Sequence, residues 1–183
     1  LAGLVMLLGA VNRDRVGFVH ASPTGQVVRE PVRGRGQIMH AAATLLAQPA
    51  PALTDGPVEI PWHFLARAAP KHSVLIWLGD FPPRVEPEGW PVLQRRYKTM
   101  GFRVDDPWEH ELPNGEAFAA FDPAAGRLVT LEASAAERAA HASWRAEREA
   151  KWLACFPDAL ARLVVRNDEN RLDALVRFFH ARM

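Results

Sequence analysis

The stretch Asp105-Asp106-Pro107-Trp108-Glu109-His110-Glu111-Leu112-Pro113 places four carboxylates and a histidine within seven residues. Two kinds of chemistry suit such a concentration. One is a cluster for a hard cation or for acid–base work. The other is a rigid loop between prolines, its acids capping turns and pairing with arginine. Asp80 is a second candidate, because it directly follows the apolar run Val74-Leu75-Ile76-Trp77-Leu78 and Gly79. Open α/β sheets bind ligands beyond the carboxyl ends of their strands. A carboxylate there could ligate Mg²⁺, or simply cap a turn. Thr54-Asp55 offers a further set of oxygens, which alone is also a helix N-cap signal.

Other groups carry less. Histidines 20, 40, 63, 72, 110, 141 and 180 show no H-x-x-x-H or H-E-x-x-H spacing, so a zinc site is unsupported. The single cysteine, Cys155, can form neither an internal disulfide nor a thiolate cluster. It lies between Leu153 and Phe156, where an inert buried thiol is expected. No G-x-S-x-G, Walker A or G-x-G-x-x-G occurs, and Arg29, Arg33 and Arg35 read as a solvated hairpin patch. With no enzyme signature, a non-catalytic protein is expected. The alternative from a different class is a metal-dependent hydrolase using Asp80 with Asp106 or Glu109, and a third reading is a purely structural domain.

The elements that must position these residues follow from composition and periodicity. The chain has 183 residues, 49% hydrophobic and 23% charged, so it is globular rather than disordered. Lys+Arg 22 against Asp+Glu 21 leaves no basic excess to hold a nucleic-acid backbone. The apolar start, Leu1–Val11, is shorter than the roughly 20 residues a membrane span needs. It also lacks the basic start and cleavage site of a signal peptide. No membrane segment is therefore expected, and a cytoplasmic placement is. Beginning inside an apolar helix, at Leu rather than Met, the sequence reads as N-terminally truncated.

Apolar spacing predicts helices at 1–11, 37–48 (with Ile38, Ala41, Leu45 and Leu46 inward), 60–69 and 90–100. Strands are predicted at 16–21, 26–32, 73–78 and 101–104. The run at 73–78 does not alternate, which marks a central parallel strand covered on both faces. Residues 117–121 and 127–132 flank a turn as a hairpin. Ser134 and Glu137 form a capping box that opens a helix running to about Cys155. Residues 160–165 are a last strand or helix end. Asp168 is the expected cap of a terminal helix with Leu172, Leu175, Val176 and Phe179 as its buried stripe. Strand and helix alternate, so a layered α/β domain with a parallel sheet is expected, formed as one domain by residues 1–183.

Several of these segments in combination resemble a known family. They are Asp14-Arg15-Val16-Gly17-Phe18, Thr54-Asp55, the run ending in Gly79-Asp80-Phe81, and Asp106-Pro107-x-Glu109-x-x-Leu112-Pro113-x-Gly115. The hairpin Phe121–Gly126 and the ending Leu175–Arg182 extend the likeness, which is to the C-terminal part of DUF58 proteins. The resemblance implies a three-layer von Willebrand factor A-like (Rossmann-like) sheet flanked by helices, here lacking its first strand. It also implies a bacterial protein-binding role beside a MoxR-type AAA+ ATPase or its client protein. In the family a metal-ion-dependent adhesion site takes Asp-x-Ser-x-Ser, a Thr and an Asp. By position the last two correspond to Thr54 and Asp80. The first loop would precede Leu1, and Ala52-Leu53 stand where Gly-Gly often precedes the Thr. Mg²⁺ is thus expected only in a longer chain, with no cofactor tightly bound to these residues.

Overall fold

The computed structural model describes residues 1–22, 25–49, 58, 60–83, 88–112, 117–122, 127–132 and 134–182. Two compact units divide the chain, Leu1–Lys71 and His72–Met183. Each has its own secondary structure and packing.

In the first unit, helix α1 (Ala2–Val11) leads into strands β1 (Val16–Ser22) and β2 (Gly25–Val32), then α2 (Arg35–Leu46) and α3 (Trp62–Ala68). β1 and β2 are antiparallel, with an irregularity between Val16↔Val32 and Phe18↔Arg29 that leaves one extra residue on β2. Pro31 lies in that bulge, where its lack of an N–H costs no ladder bond. Gly17 lies opposite, and a Cβ there would sit 2.6 Å from the Arg29 carbonyl oxygen. Met6, Ile38, Ala41 and Ala42 form the core between α1 and α2, with Val16, Phe18, Val32 and Leu45 packed on it. Leu46, expected inside, is 74% exposed. Ile38, Ala41 and Leu45 face inward as expected, and Ala42, one turn before Leu46, completes the stripe.

The second unit contains a three-stranded parallel sheet, ordered β3-β4-β7, from Val74–Gly79, Lys98–Asp105 and Arg162–Arg166. Helix α4 (Trp90–Arg96) connects β3 to β4. After β4 come the short α5 (Pro107–His110), the hairpin of β5 (Phe118–Asp122) and β6 (Arg127–Leu131), and the long α6 (Ala135–Cys155). A 3₁₀ turn at Ala159–Ala161 precedes β7, and α7 (Arg171–His180) closes the unit.

Strand β4 pleats its residues to two faces. Phe102 points to one face, where Phe178 of α7 meets it edge-on at 5.0 Å. Gly101 lies on the other, against Trp152 and Phe156 at the end of α6. A Cβ at Gly101 would stand 2.5 Å from both rings. Only glycine permits that approach. Trp77, Phe81, Trp90, Trp152 and Phe156 interlock there, with edge contacts such as Phe81–Trp152 at 4.5 Å and Trp90–Phe156 at 5.2 Å. The α6 terminus is tied to α4 because the Cys155 carbonyl accepts hydrogen bonds from Trp90 Nε1 at 3.3 Å and Gln94 Nε2 at 3.0 Å.

Several expectations change. The predicted helix 90–100 ends at Arg96, because Tyr97 is extended and Lys98, Thr99 and Met100 pair with Val74, Leu75 and Ile76. The central strand of the described sheet is therefore β4, not the apolar run at 73–78, which lies at its edge. Asp168 does not cap α7; it pairs with Arg166 at 2.7 Å, and Asn170 is the cap. Leu172 and Val176 are 48% and 51% exposed, since α7 turns Ala174 and Leu175 to the sheet.

Candidate functional site

Because β3, β4 and β7 are parallel, their carboxyl ends share one rim: Gly79 and Asp80, Asp105 and Asp106, Arg166 and Asn167. The carboxylates gathered there divide into two sorts.

Asp105, the last residue of β4, is completely buried. Arg103 lies two residues earlier on the same face and binds it with both prongs, Nε to Oδ1 at 2.8 Å and Nη2 to Oδ2 at 3.0 Å. Arg148, from the middle of α6, donates Nη2 to Asp105 Oδ1 at 3.0 Å. Arg103 also reaches Glu149 through Nη1 at 2.8 Å. Burial works against the Arg103 cation. The hydrogen bonds and charges of Glu149 and Asp105 outweigh it, so the guanidinium is held above its ordinary value. The two arginines lie over tryptophan faces, Arg103 on Trp152 and Arg148 on Trp144, each at 5.3 Å. His110 Nε2 is buried 3.2 Å from Asp105 Oδ2, without the alignment of a hydrogen bond.

Asp106 and Glu109 form a reciprocal cap of α5. Asp106 Oδ1 accepts from Trp108 N at 3.0 Å, and Glu109 Oε2 accepts from Asp106 N at 2.7 Å. Asn167, just beyond β7, donates Nδ2 to Asp106 Oδ2 at 2.6 Å. Glu109 Oε2 also lies 3.4 Å from Arg148 Nη1. The acids of this loop thus cap a turn and pair with arginine, as one sequence reading had it. Asp106 and Glu109, the helpers weighed for a hydrolytic Asp80, are engaged in that cap.

Asp80 differs, because its side chain is exposed while its backbone is anchored. Arg148 Nε donates to the Asp80 carbonyl at 3.0 Å and to the Phe81 carbonyl at 3.3 Å, and Nη2 also binds the Asp80 carbonyl. Phe81 is in the left-handed region at φ 49°, which costs a non-glycine residue about 1–2 kcal/mol. Its ring is buried against Trp77 and Trp152. Beyond β3 the chain thus holds the Phe81 ring inward and leaves the preceding Asp80 side chain exposed.

Thr54 and Asp55 lie outside the described residues. Among the described residues no three His, Cys, Asp or Glu side chains gather so as to hold a metal ion. Among the described residues, no helix is long and apolar enough to cross a membrane.

Sequence reasoning singled out Asp80, Asp105, Asp106 and Glu109 but missed Arg103 and Arg148. A signal for each was present. Arg103 and Asp105 are two apart on a strand and so share a face. Arg148 interrupts the spacing Trp144, Arg148, Trp152 on a helix, a charge within an aromatic stripe.

An α/β chain with a parallel sheet flanked by helices, and a carboxylate presented at the strand ends, is the class that fold and site define. Residues 1–151 match the family described as "Protein of unknown function DUF58", and the chain belongs to it. Comparison with curated proteins finds none that matches. Among solved structures, it is similar to the conserved hypothetical protein BatB from Bacteroides thetaiotaomicron. That likeness has a TM-score of 0.50 and 11% identity, covering 99% of this chain and 84% of that one. At that identity it speaks for the fold.

Proposed function

We propose that this chain is part of a non-catalytic protein-interaction module, an adaptor for a MoxR-type AAA+ ATPase or its client, that docks through the rim at Asp80. The observation that carries the reading is the division among the rim carboxylates. Asp105, Asp106 and Glu109 are bound internally to arginine, asparagine and backbone N–H groups, whereas Asp80 is held at its backbone and leaves its carboxylate to solvent. Asp106 and Glu109, the groups weighed as partners of a catalytic Asp80, are engaged in the α5 cap. A docking contact needs only one charge held in a fixed direction. The association with an ATPase is what the family resemblance implies, and the likeness to BatB supports the sheet that forms the rim.

Asp80 would act by pairing with a cationic side chain of the partner. Such a rim charge sets partner choice and encounter rate more than raw affinity. The test is association of the purified chain with a MoxR-type ATPase, followed by calorimetry at two salt concentrations. Binding should weaken with salt, and Asp80→Arg should reduce it by about tenfold or more through like-charge repulsion. Association that Asp80→Arg leaves unchanged removes the rim from the reading. Hydrolytic turnover that Asp80→Asn abolishes would replace it with an enzyme.

A further inference from the structure

We propose that Arg148 is the positioning residue for Asp80: one buried guanidinium on α6 fixes the direction in which the rim carboxylate leaves β3. The geometry stands by itself; the consequence for binding rests on the reading of Asp80 as a docking contact.

Arg148 is 3% exposed and joins four segments at once. Its Nε and Nη2 serve the carbonyls of Asp80 and Phe81, just beyond β3. Nη2 also binds Asp105 at the end of β4, and Nη1 faces Glu109 of α5. The backbone that it holds is the left-handed Phe81, a conformation a phenylalanine rarely adopts unless its surroundings impose it. The ring contacts with Trp77 and Trp152 fix where Phe81 packs. They leave the two carbonyls to be satisfied, and that of the buried Phe81 requires a donor. The planar fork serves two neighbouring carbonyls and a carboxylate from separate nitrogens, whereas a lysine ammonium offers its donors from a single point. Arg103 keeps its two-pronged hold on Asp105 without Arg148, so Asp105 retains a buried counter-charge in Arg148 variants.

The test places a 4-fluorophenylalanine at position 81 of the full chain and reads its ¹⁹F spectrum in Arg148→Lys and Arg148→Gln. The glutamine variant carries the same readout where the lysine variant does not fold. A single line is expected with Arg148 present, and a second or broadened line in both variants. Association with the ATPase should fall by about tenfold, as for loss of a positioned rim charge. Leu175→Ala, an equally buried change on α7 outside the turn, serves as the comparison and should leave the ¹⁹F line single. An unchanged line in the Arg148 variants overturns the proposal, and so does the same second line in Leu175→Ala. If the line splits only in the Arg148 variants while they and Asp80→Arg bind normally, the positioning role stands and the docking reading falls.

Discussion

Arg103 and Asp105 stand two residues apart on the central strand and close on each other as a fork on a carboxylate, at 2.8 and 3.0 Å, inside the unit. The pleat puts both on the α6 face, and Arg148 completes the arrangement from across the gap. Ion pairs so far from solvent are usually specified by geometry rather than justified by net stability, because desolvation offsets most of the attraction. Removing one member is a different matter.

Asp105→Asn is expected to destabilise the chain by about 3–5 kcal/mol, because two buried guanidinium groups lose their shared counter-charge. Urea denaturation measures it. A loss below about 1 kcal/mol, as for an exposed pair, would show that the cluster carries no such charge balance.

Gly101→Ala should cost about 1–3 kcal/mol, the usual consequence of overpacking. The added methyl meets the rings of Trp152 and Phe156 at 2.5 Å, and neither ring is free to withdraw. Thermal denaturation followed by near-ultraviolet circular dichroism reads both the loss and the disturbed aromatic cluster.

At the start of α7, Asn170→Ala should lose about 1 kcal/mol, since Asn170 Oδ1 accepts from Leu172 N at 3.0 Å and Asp173 N at 3.3 Å. Asp168→Ala, by contrast, breaks only an exposed pair and should change stability by no more than about 0.5 kcal/mol. Equal losses at the two positions would contradict this assignment of the cap.

Acid should loosen the start of α6. The hydrogen bonds that Glu137 accepts from the Ser134 backbone and hydroxyl hold its carboxyl below the ordinary value of 4.5. A depressed carboxyl contributes its full stability above 4.5 and loses it as the pH falls through the lowered value. The protection factors of the first-turn amides, corrected for intrinsic exchange, should therefore fall in that acid range, and Glu137→Gln should remove this pH dependence of protection. Arg103 behaves oppositely: its raised value keeps its contribution intact through neutral pH and loses it only in strong alkali.

Much was legible from residues close together in the chain. The capping box at Ser134–Glu137 needs only neighbours three positions apart, and the structure has it. Helical and alternating periods placed α1, the β1–β2 pair, the β5–β6 pair and α6 to within about two residues, the usual uncertainty at element ends. Asp80 was singled out by the rule that strand ends face ligands, and the structure places it just beyond β3. Local reading failed where two signals competed: Lys98–Met100 fits a helical spacing but is claimed by pairing with β3, and Asp168 fits a cap but is taken by Arg166.

Most of the elements were legible in the sequence, because their signals act over one turn of helix or one pleat of strand. Tertiary structure alone decided which side chains meet at the rim. Arg148 is 43 residues from Asp105 and 68 from Asp80, distances in sequence that carry no local signature. Their meeting depends on the register of β4 against β3 and on the rotation of α6 over Gly101. Both are set by how an aromatic cluster excludes water, not by any residue's own preference.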